Sequence, residues 1–365
     1  MRKNLVPFDL SRHLLGESLP YDLFNNHGVL ILQRGDRLDD PVRLARLAEM
    51  SLYRVDKDPA NTALLPATNL NELAGRYAVI TGSDSEFNAD ELTLLARDLY
   101  RLVSEHPALC VGMVWHLPLS SKARRHALFV AILSGLVALE LGQGIRTQET
   151  LIRAALSMNL SSFTLQDVLD REGRPPSQEE SEQLWHHPWQ SWERLFRAGV
   201  RDMDWLNAVR QHHENLDQTG YPSRVGVEAI TIEARILRVV DVFAALIGQR
   251  HSRSGYVPHQ AMRLAFDRER GHLDGSVMLT LRRMMGRHPP GTLVKLANRE
   301  TAVVTRWFRN ASAPKFVVSL LQPSGGPLPI PQARDTSRRD YSIRGYTSLP
   351  MAPPALNWPD IWAQG

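Results

Sequence analysis

The stretch HHENLDQTGYP, at positions 212–222, decides how this chain is interpreted. Its opening pair, His212 and His213, is a weak signal by itself, because histidines are common on surfaces and in satisfied cores. The residues downstream change that judgement. Gly220, Tyr221 and Pro222 combine a permissive backbone position, an aromatic ring and a fixed φ, which is typical of a tight loop. A histidine pair that leads directly into such a loop is unlikely to arise by coincidence, and it indicates a site.

The segment resembles the HHExxDGxGYP signature of HD-GYP phosphodiesterases and departs from it at Gln218. The resemblance continues in order and spacing over about residues 115–285. It includes His187-Pro188 upstream, Arg235-Ile236-Leu237 and Asp241 downstream, and then Arg250 and Arg253. The match therefore covers a substantial part of the chain and does not depend on the short signature alone.

The resemblance implies a mainly α fold, an HD-type helical bundle whose inward-facing His and Asp side chains hold iron, manganese or similar ions. Two adjacent cations would clamp the attacking and leaving oxygens of a phosphodiester, with a carboxylate bridging them. Imidazole and carboxylate groups suit such metals. By motif position, the surviving candidate ligands are His126, His187, His212, His213 and Asp241.

The central motif of the family, a helix that runs into His-Asp-x-Gly-Lys, is replaced in this chain. After residue 157 the sequence continues with Met158, Asn159, Leu160, Ser161 and Ser162. A thioether and a neutral amide bridge cations poorly, and Ser162 replaces a lysine expected at the substrate phosphate. Lys122 stands where some members have a further glutamate ligand, and its cation would repel a metal. No His-Asp dipeptide occurs anywhere in the sequence.

Each surviving group has two interpretations. The histidines and Asp241 form a residual site for one iron or manganese ion, or they are inherited side chains that hydrogen-bond to each other. Arg250 and Arg253 contact ligand phosphates, as the resemblance implies, or they are solvated charges at a helix end. The Gly220-Tyr221-Pro222 loop docks a diguanylate cyclase (GGDEF) domain or another signalling protein, or it is only a tight turn.

These substitutions predict a cyclic di-GMP signalling protein with a degenerate, catalytically inactive HD-GYP domain that acts by ligand binding or protein contact. The alternative is a metal-dependent phosphodiesterase that hydrolyses cyclic di-GMP with a reduced metal site. A third hypothesis is an interaction protein whose pocket binds neither metal nor nucleotide. Four tryptophans on helical segments are interpreted as core residues and not as guanine platforms: Trp185, Trp189, Trp192 and Trp205.

The sequence before the motif region predicts a small α/β module at residues 1–60. Residues 22–38 form a strand, an Asn-rich turn and a second strand, and Asp40 caps a helix that begins at Pro41. Leu52 to Val55 then returns as a strand. Residues 60–84 are interpreted as a linker because they are rich in Asn, Thr and Gly.

The rest of the chain divides into a helical and a β-rich part. Leucines on one face predict a helix from Asn88 to about His106, and helical patterns continue to about Met285, which gives a helical domain at residues 61–288. Ser177 and Glu180 form a capping box. A β-rich module at residues 289–365 follows, with strands at 292–296, 301–307 and 315–321 and little regular structure beyond Pro350.

Composition limits the possible partners. The chain has 365 residues and a net charge of +4, with dispersed basic residues, so no nucleic acid polymer is expected. The single cysteine, Cys110, excludes an intramolecular disulfide and fits a cytoplasmic location. The most apolar window, Ala127 to Leu139, is too short to cross a bilayer, so it is expected to be a buried helix and no membrane insertion is expected. A homo-oligomer remains open.

Overall fold

A computed structural model of the protein describes residues 5–8, 22–25, 29–33, 36–48, 52–55, 59–82, 87–117, 119–248, 255–308, 313–349 and 356–363. The chain divides into two compact units, Met1–Leu65 and Pro66–Gly365, which are described in turn. The predicted fold class is confirmed: helices predominate, with a small antiparallel sheet in each unit.

The first unit contains a four-stranded sheet in the order β1-β4-β2-β3. Its elements are β1 Leu5–Phe8, β2 Leu23–Phe24, β3 Leu30–Leu32, α1 Pro41–Ala48 and β4 Leu52–Val55. The antiparallel pair of β2 and β3 confirms the predicted hairpin, although residues 26–28 of its turn lie outside the described residues. Asp40 caps α1, since its carboxylate accepts a hydrogen bond of 2.9 Å from the amide of Val42. Four buried leucines form the core: Leu23, Leu32, Leu38 and Leu52.

The second unit is a helical bundle built around a buried helix, α5. The helices in chain order are α2 Pro59–Ile80, which begins before the division, α3 Ala89–Glu105, α4 Pro107–Met113, α5 Lys122–Glu140, α6 Ile145–Ser157, α7 Phe163–Glu172, α8 Gln178–Arg197, α9 Met203–Gln211, α10 Ile232–Ile247, α11 Pro258–Arg268 and α12 Gly275–Met285. Helix α5 packs against α4, α6, α7, α10 and α12. It is buried continuously from Ala127 to Ala138, which confirms the predicted core helix.

Helix α2 corrects the interpretation of residues 60–84 as a linker. It spans Pro59–Ile80, and Leu70 and Tyr77 on its inner face are fully buried. The Tyr77 hydroxyl donates a hydrogen bond of 2.7 Å to the carbonyl of Leu156 at the end of α6. Of the Asn and Thr residues that suggested a linker, Thr68 and Asn69 lie on the exposed face, between the buried Ala67 and Leu70. Burial of one helix face outweighs their weak local preference for turns.

Helix α8 carries His187 and α9 leads into His212 and His213, and both helices are fixed by their caps. Ser177 and Glu180 form the predicted capping box at the start of α8. Asp202 caps α9 by accepting from the amides of Asp204 and Trp205. The indole of Trp205 then donates to the Ser157 hydroxyl at 2.9 Å, which links α9 to the end of α6. The ends of α6 and α9 and the side of α8 therefore have defined positions relative to one another.

A five-stranded antiparallel sheet follows the bundle, in the order β8-β7-β6-β5-β9. The strands are β5 Leu293–Leu296, β6 Thr301–Val303, β7 Phe316–Leu321, β8 Pro327–Asp335 and β9 Ile343–Tyr346. The first three lie within the predicted strands, although β6 ends at Val303 whereas the strand was predicted to continue to residue 307. The sequence did not predict β8, because its alternating prolines argue against a strand. Since β8 lies at the edge of the sheet, proline is tolerated there.

The C-terminal segment contains a short helix, α13 Trp358–Ala363, where little regular structure was predicted. Its Trp362 packs into the helical core, against Gly112 on α4. A Cβ atom at Gly112 would lie 2.2 Å from the Trp362 ring, so the glycine makes room for this contact. The burial of Ile361 and Trp362 outweighs the weak helical signal of the segment. In the described part of the chain, none of the helices has the length and apolar content needed to cross a membrane.

Candidate metal centre

Three histidines meet where α8 passes the end of α9. His187 lies on α8, His212 follows the last residue of α9, and His213 comes next in the chain. Their candidate ligand nitrogens all lie within 4.8 Å of one another. Among the described residues, these are the side chains of metal-ligand type that cluster in a group of three. The structure thus brings together three of the predicted ligands.

Backbone contacts fix the orientation of two of these rings. The Nδ1 atom of His187 lies 2.5 Å from the carbonyl oxygen of Leu184, and Nδ1 of His212 lies 2.7 Å from that of Val209. Because a carbonyl oxygen only accepts, both Nδ1 atoms must carry the proton. In the neutral rings both Nε2 atoms are therefore acceptors, and they face each other at 3.1 Å. Two acceptors at this distance need a proton or a cation between them.

Burial makes the proton the less favourable choice. Burial, and to a smaller extent the nearby His187, lowers the pKa of the His212 imidazole to about 3. Burial also lowers the pKa of His187. Metal-binding histidines commonly donate their other ring N–H to a backbone carbonyl, as both rings do here. The cluster therefore has the protonation state that metal binding requires.

The other two predicted ligands, His126 on α5 and Asp241 on α10, are bonded to each other. His126 Nε2 and Asp241 Oδ1 are 2.7 Å apart. Burial alone would raise the pKa of Asp241, but the hydrogen bond with His126 and the surrounding positive groups lower it to about 2. The Asp241 charge also acts on His187 and His212, so the pair lies beside the cluster.

The loop after His213 is held by Glu214. This side chain is buried, and its Oε1 accepts hydrogen bonds from the amides of Ser223 at 2.7 Å and Arg224 at 3.1 Å. Gly220 closes the loop: a Cβ atom there would lie 2.3 Å from the amide nitrogen of Asn215. This close approach is the reason for glycine at the position. The sequence pattern contained Glu214 but did not indicate its role.

Aromatic rings extend from the cluster toward solvent. Tyr221 stacks on His213 with ring centroids 4.6 Å apart, and Trp185 of α8 stacks on Tyr221 at 4.3 Å. Trp205 is buried, but Trp185 and Trp189 are each 42% exposed, so the core interpretation was wrong for these two. The exposure of Trp185 follows from its place on α8, since it lies two residues before the buried His187 on a different face.

Comparisons with known proteins agree with this arrangement. A family model described as "HD domain" matches residues 98–277. Cyclic di-GMP phosphodiesterase PA4108 of Pseudomonas aeruginosa is 30% identical over 34% of this chain and 30% of its own length. The cyclic di-GMP phosphodiesterase response regulator RpfG of Xanthomonas campestris pv. campestris is 32% identical over 38% of this chain and 37% of its own. The chain thus spans about a third of the length of these curated relatives.

A solved structure extends the likeness to the fold. An HDG"Y"P protein of Bdellovibrio bacteriovorus, Bd1817, matches with a TM-score of 0.50 and 16% identity, over 77% of this chain and 99% of its own. The chain contains an HD-GYP-type domain. The helical bundle, the histidine cluster and the Gly220-Tyr221-Pro222 loop belong to that domain.

The HD-GYP-type domain carries Met158 and Asn159 in the turn after α6. Met158 is fully buried and Asn159 is 6% exposed. The turn is fastened to α8, because the Ser161 hydroxyl donates to the carbonyl of His187 at 3.1 Å and lies 3.0 Å from the Ser191 hydroxyl. It therefore contacts the helix that supplies His187 but contributes no ionisable side chain of its own.

Neighbouring charges of the domain are engaged in ion pairs away from the cluster. Lys122 bonds Asp170 at 2.8 Å, and Arg124 bonds Asp167 at 3.0 Å. These carboxylates follow the turn closely in sequence, yet each is paired with a cation from the first turn of α5. Ser162 is buried and accepts a hydrogen bond of 2.7 Å from the Gln166 amide. None of these groups replaces the missing carboxylate.

The two predicted phosphate-binding arginines, Arg250 and Arg253, lie outside the described residues. Arg238 on α10, which the sequence analysis missed, is a basic residue beside the site. Its Nε donates to the Asn215 side chain at 3.1 Å, and its charge acts on the pKa values of His212, Tyr221 and Asp241. Its position three residues before Asp241 on a helix would have placed it on the same face.

The donor set fits a single ion. Two imidazole nitrogens bound to one metal at about 2.1 Å lie roughly 3.0 to 3.4 Å apart in common geometries. The 3.1 Å between the Nε2 atoms of His187 and His212 falls in that range. His213 would add a third donor within the cluster. A bridging carboxylate for a second ion is absent from Met158 and Asn159, where the family motif has its His-Asp pair.

Proposed function

We propose that this chain is a cyclic di-GMP signalling protein whose HD-GYP-type domain is catalytically inactive and acts by binding the ligand or a protein partner. Two curated relatives are named as cyclic di-GMP phosphodiesterases, which supports the choice of ligand. The inactivity is inferred from the chain's own residues.

The turn at Met158 and Asn159 carries the proposal. Two-metal hydrolysis of a phosphodiester needs a negatively charged oxygen between the ions, which keeps them close and offsets their repulsion. A thioether and a neutral amide supply no such charge. The carboxylates nearest in sequence, Asp167 and Asp170, are engaged by Arg124 and Lys122. The second ion therefore loses its site, and with it the clamp on the leaving oxygen.

The other parts of the domain suit recognition. Arg250 and Arg253 are proposed to contact the ligand phosphates, because a guanidinium group pairs well with phosphate oxygens. The loop at Gly220, Tyr221 and Pro222 is proposed to dock a GGDEF domain, another signalling protein or a second copy of the chain. The lone Cys110 is consistent with action in the cytoplasm.

A second candidate function is slow hydrolysis of cyclic di-GMP with one iron or manganese ion. The facing Nε2 atoms of His187 and His212 favour it, because their geometry suits a bound cation. Such an ion would supply Lewis acidity toward a phosphate oxygen. His187, His212 and His213 would hold the ion. The neighbouring His126–Asp241 pair would orient or accept a proton beside the ion.

The deciding experiment measures cyclic di-GMP hydrolysis chromatographically. The protein is prepared anaerobically with Fe(II) or Mn(II), beside a His213→Ala control, and binding of the same ligand is measured by titration calorimetry. Binding without product above the control supports the inactive signalling protein. Turnover that the control loses would replace it with the second candidate. Absence of both binding and turnover would exclude hydrolysis and ligand binding, and would leave only action through a protein partner.

A further inference from the structure

Trp185 is the outermost ring of the aromatic column that begins at the histidine cluster. Tyr221 is parallel to both of its neighbours, with interplanar angles of 19° to His213 and 21° to Trp185. Two rings cannot share one face of a phenol ring at stacking distance, so His213 and Trp185 lie on opposite faces of Tyr221. Trp185 therefore ends the column on the solvent side, where it is 42% exposed.

Trp189, one turn further along α8, is a second exposed indole with which Trp185 can be compared. Trp189 is also 42% exposed, but the Arg210 guanidinium lies 4.8 Å above its ring and Trp192 stacks on it at 5.0 Å. For Trp185, the aromatic and cation contacts among the described residues consist of the Tyr221 stack. The two indoles are equally exposed, but Trp189 contacts both a cation and a ring, whereas the described ring contact of Trp185 lies on one face, toward the histidine cluster.

From this contrast we propose that Trp185 is the stacking platform for a purine base of the nucleotide ligand. The inference rests on the proposed function and deepens it by assigning a base-binding residue. A base is planar and stacks on any aromatic face, and the stack on Tyr221 holds the indole in place before the ligand arrives.

Calorimetric titration with cyclic di-GMP compares the wild type, Trp185→Ala, Trp185→Phe and Trp189→Ala, each checked for folding by circular dichroism. We expect Trp185→Ala to raise the dissociation constant about ten-fold, the factor that a lost base stack produces. Trp185→Phe keeps an aromatic face and should stay within about three-fold of the wild type. Trp189→Ala removes an equally exposed indole from the same helix and should bind normally.

The outcomes separate this inference from the proposed function. If Trp185→Ala binds cyclic di-GMP as well as the wild type does, the platform is wrong and the signalling function stands. Loss of GGDEF-domain binding alone in that variant would assign the ring to a protein contact instead, and would also overturn the inference. If the wild type does not bind cyclic di-GMP, GMP and AMP become the probes, with ribose 5-phosphate as the base-free control. Binding of a purine nucleotide that requires Trp185 would preserve the platform, and no purine binding would overturn it.

Discussion

The loop at residues 212–222 and the turn at residues 158–162 both belong to the HD-GYP-type domain, and both adjoin α8. The loop depends on particular side chains, since Glu214 accepts from two amides and Gly220 leaves no room for a Cβ atom. The turn is held by its serines and its backbone, through Ser161 to α8 and through the Asn159 carbonyl to the amides of Ser162 and Phe163. The side chains of Met158 and Asn159 take no part in these contacts, whereas the loop conformation depends directly on Glu214 and Gly220.

The largest effect is expected from restoring the motif in the turn. The double variant Met158→His/Asn159→Asp returns a bridging carboxylate to a turn whose backbone is held by Ser161 and by the Asn159 carbonyl. We expect the manganese content to rise from about one to about two ions per chain, with hydrolysis of cyclic di-GMP becoming detectable. Metal analysis and chromatography of the product measure the two effects.

The matched control for this variant is Met158→His/Asn159→Ala, which supplies the imidazole without the carboxylate. It should remain at the wild-type metal content and produce no linear product, because the bridge is the missing part. Equal metal uptake by both variants would mean that the bridge is unimportant. A double variant that folds but gains neither metal nor activity would show that the loss extends beyond the turn.

A substitution in the loop should change the stability of the protein, in contrast to the turn, where the expected change is in metal content and activity. Gly220→Ala would place a Cβ atom 2.3 Å from the Asn215 amide nitrogen and 2.5 Å from the His213 carbonyl oxygen. Both are backbone atoms and cannot move aside cheaply, so the free energy of unfolding should fall by about 3 kcal/mol. Urea unfolding measures the change. Gly226→Ala, where the new Cβ atom would meet nothing within 4 Å, is the control and should stay within about 0.5 kcal/mol of the wild type.

Much of the fold was predictable because it follows periodic apolar patterns. Helix α3 and the strands β5 to β7 have the spacing of a buried face, and the cap at Ser177 is a local signal. Helix α2 was missed because its exposed Asn and Thr residues suggested turns. Its inner face is stabilised by packing against other helices, which a local pattern does not reveal. Helix α13 was missed because its Trp362 packs closely against Gly112, which is far away in sequence.

The candidate site was predictable as a set of residue types but not as an arrangement. Motif positions suggested the five ligands, yet the spacing alone could not separate the cluster of His187, His212 and His213 from the bonded pair of His126 and Asp241. The orientation of the cluster rings depends on backbone carbonyls at Leu184 and Val209, which have no sequence signature. Trp185 was interpreted as core because its exposure depends on how α8 is rotated in the bundle.

The smallest effect tests how strictly the loop keeps its shape. Gln218, the position at which the loop departs from the HHExxDGxGYP signature, has a φ of 65°. This left-handed region costs a residue with a Cβ atom about 1 to 2 kcal/mol. Gln218→Gly should raise the free energy of unfolding by about 0.5 to 1 kcal/mol, after the greater freedom of glycine in the unfolded chain is subtracted. Urea unfolding is again the measurement.

The comparison variant at the same position is Gln218→Ala, which keeps a Cβ atom and should leave stability almost unchanged. A stabilising glycine beside a neutral alanine would mean that the loop imposes its backbone on a residue that fits it poorly. That is expected if the hydrogen bonds accepted by Glu214 and the close backbone approach at Gly220 fix the loop conformation, independently of the residues at positions 158 and 159. If glycine instead destabilises the protein, contacts of the Gln218 side chain stabilise the loop, and its shape is then a property of this particular sequence.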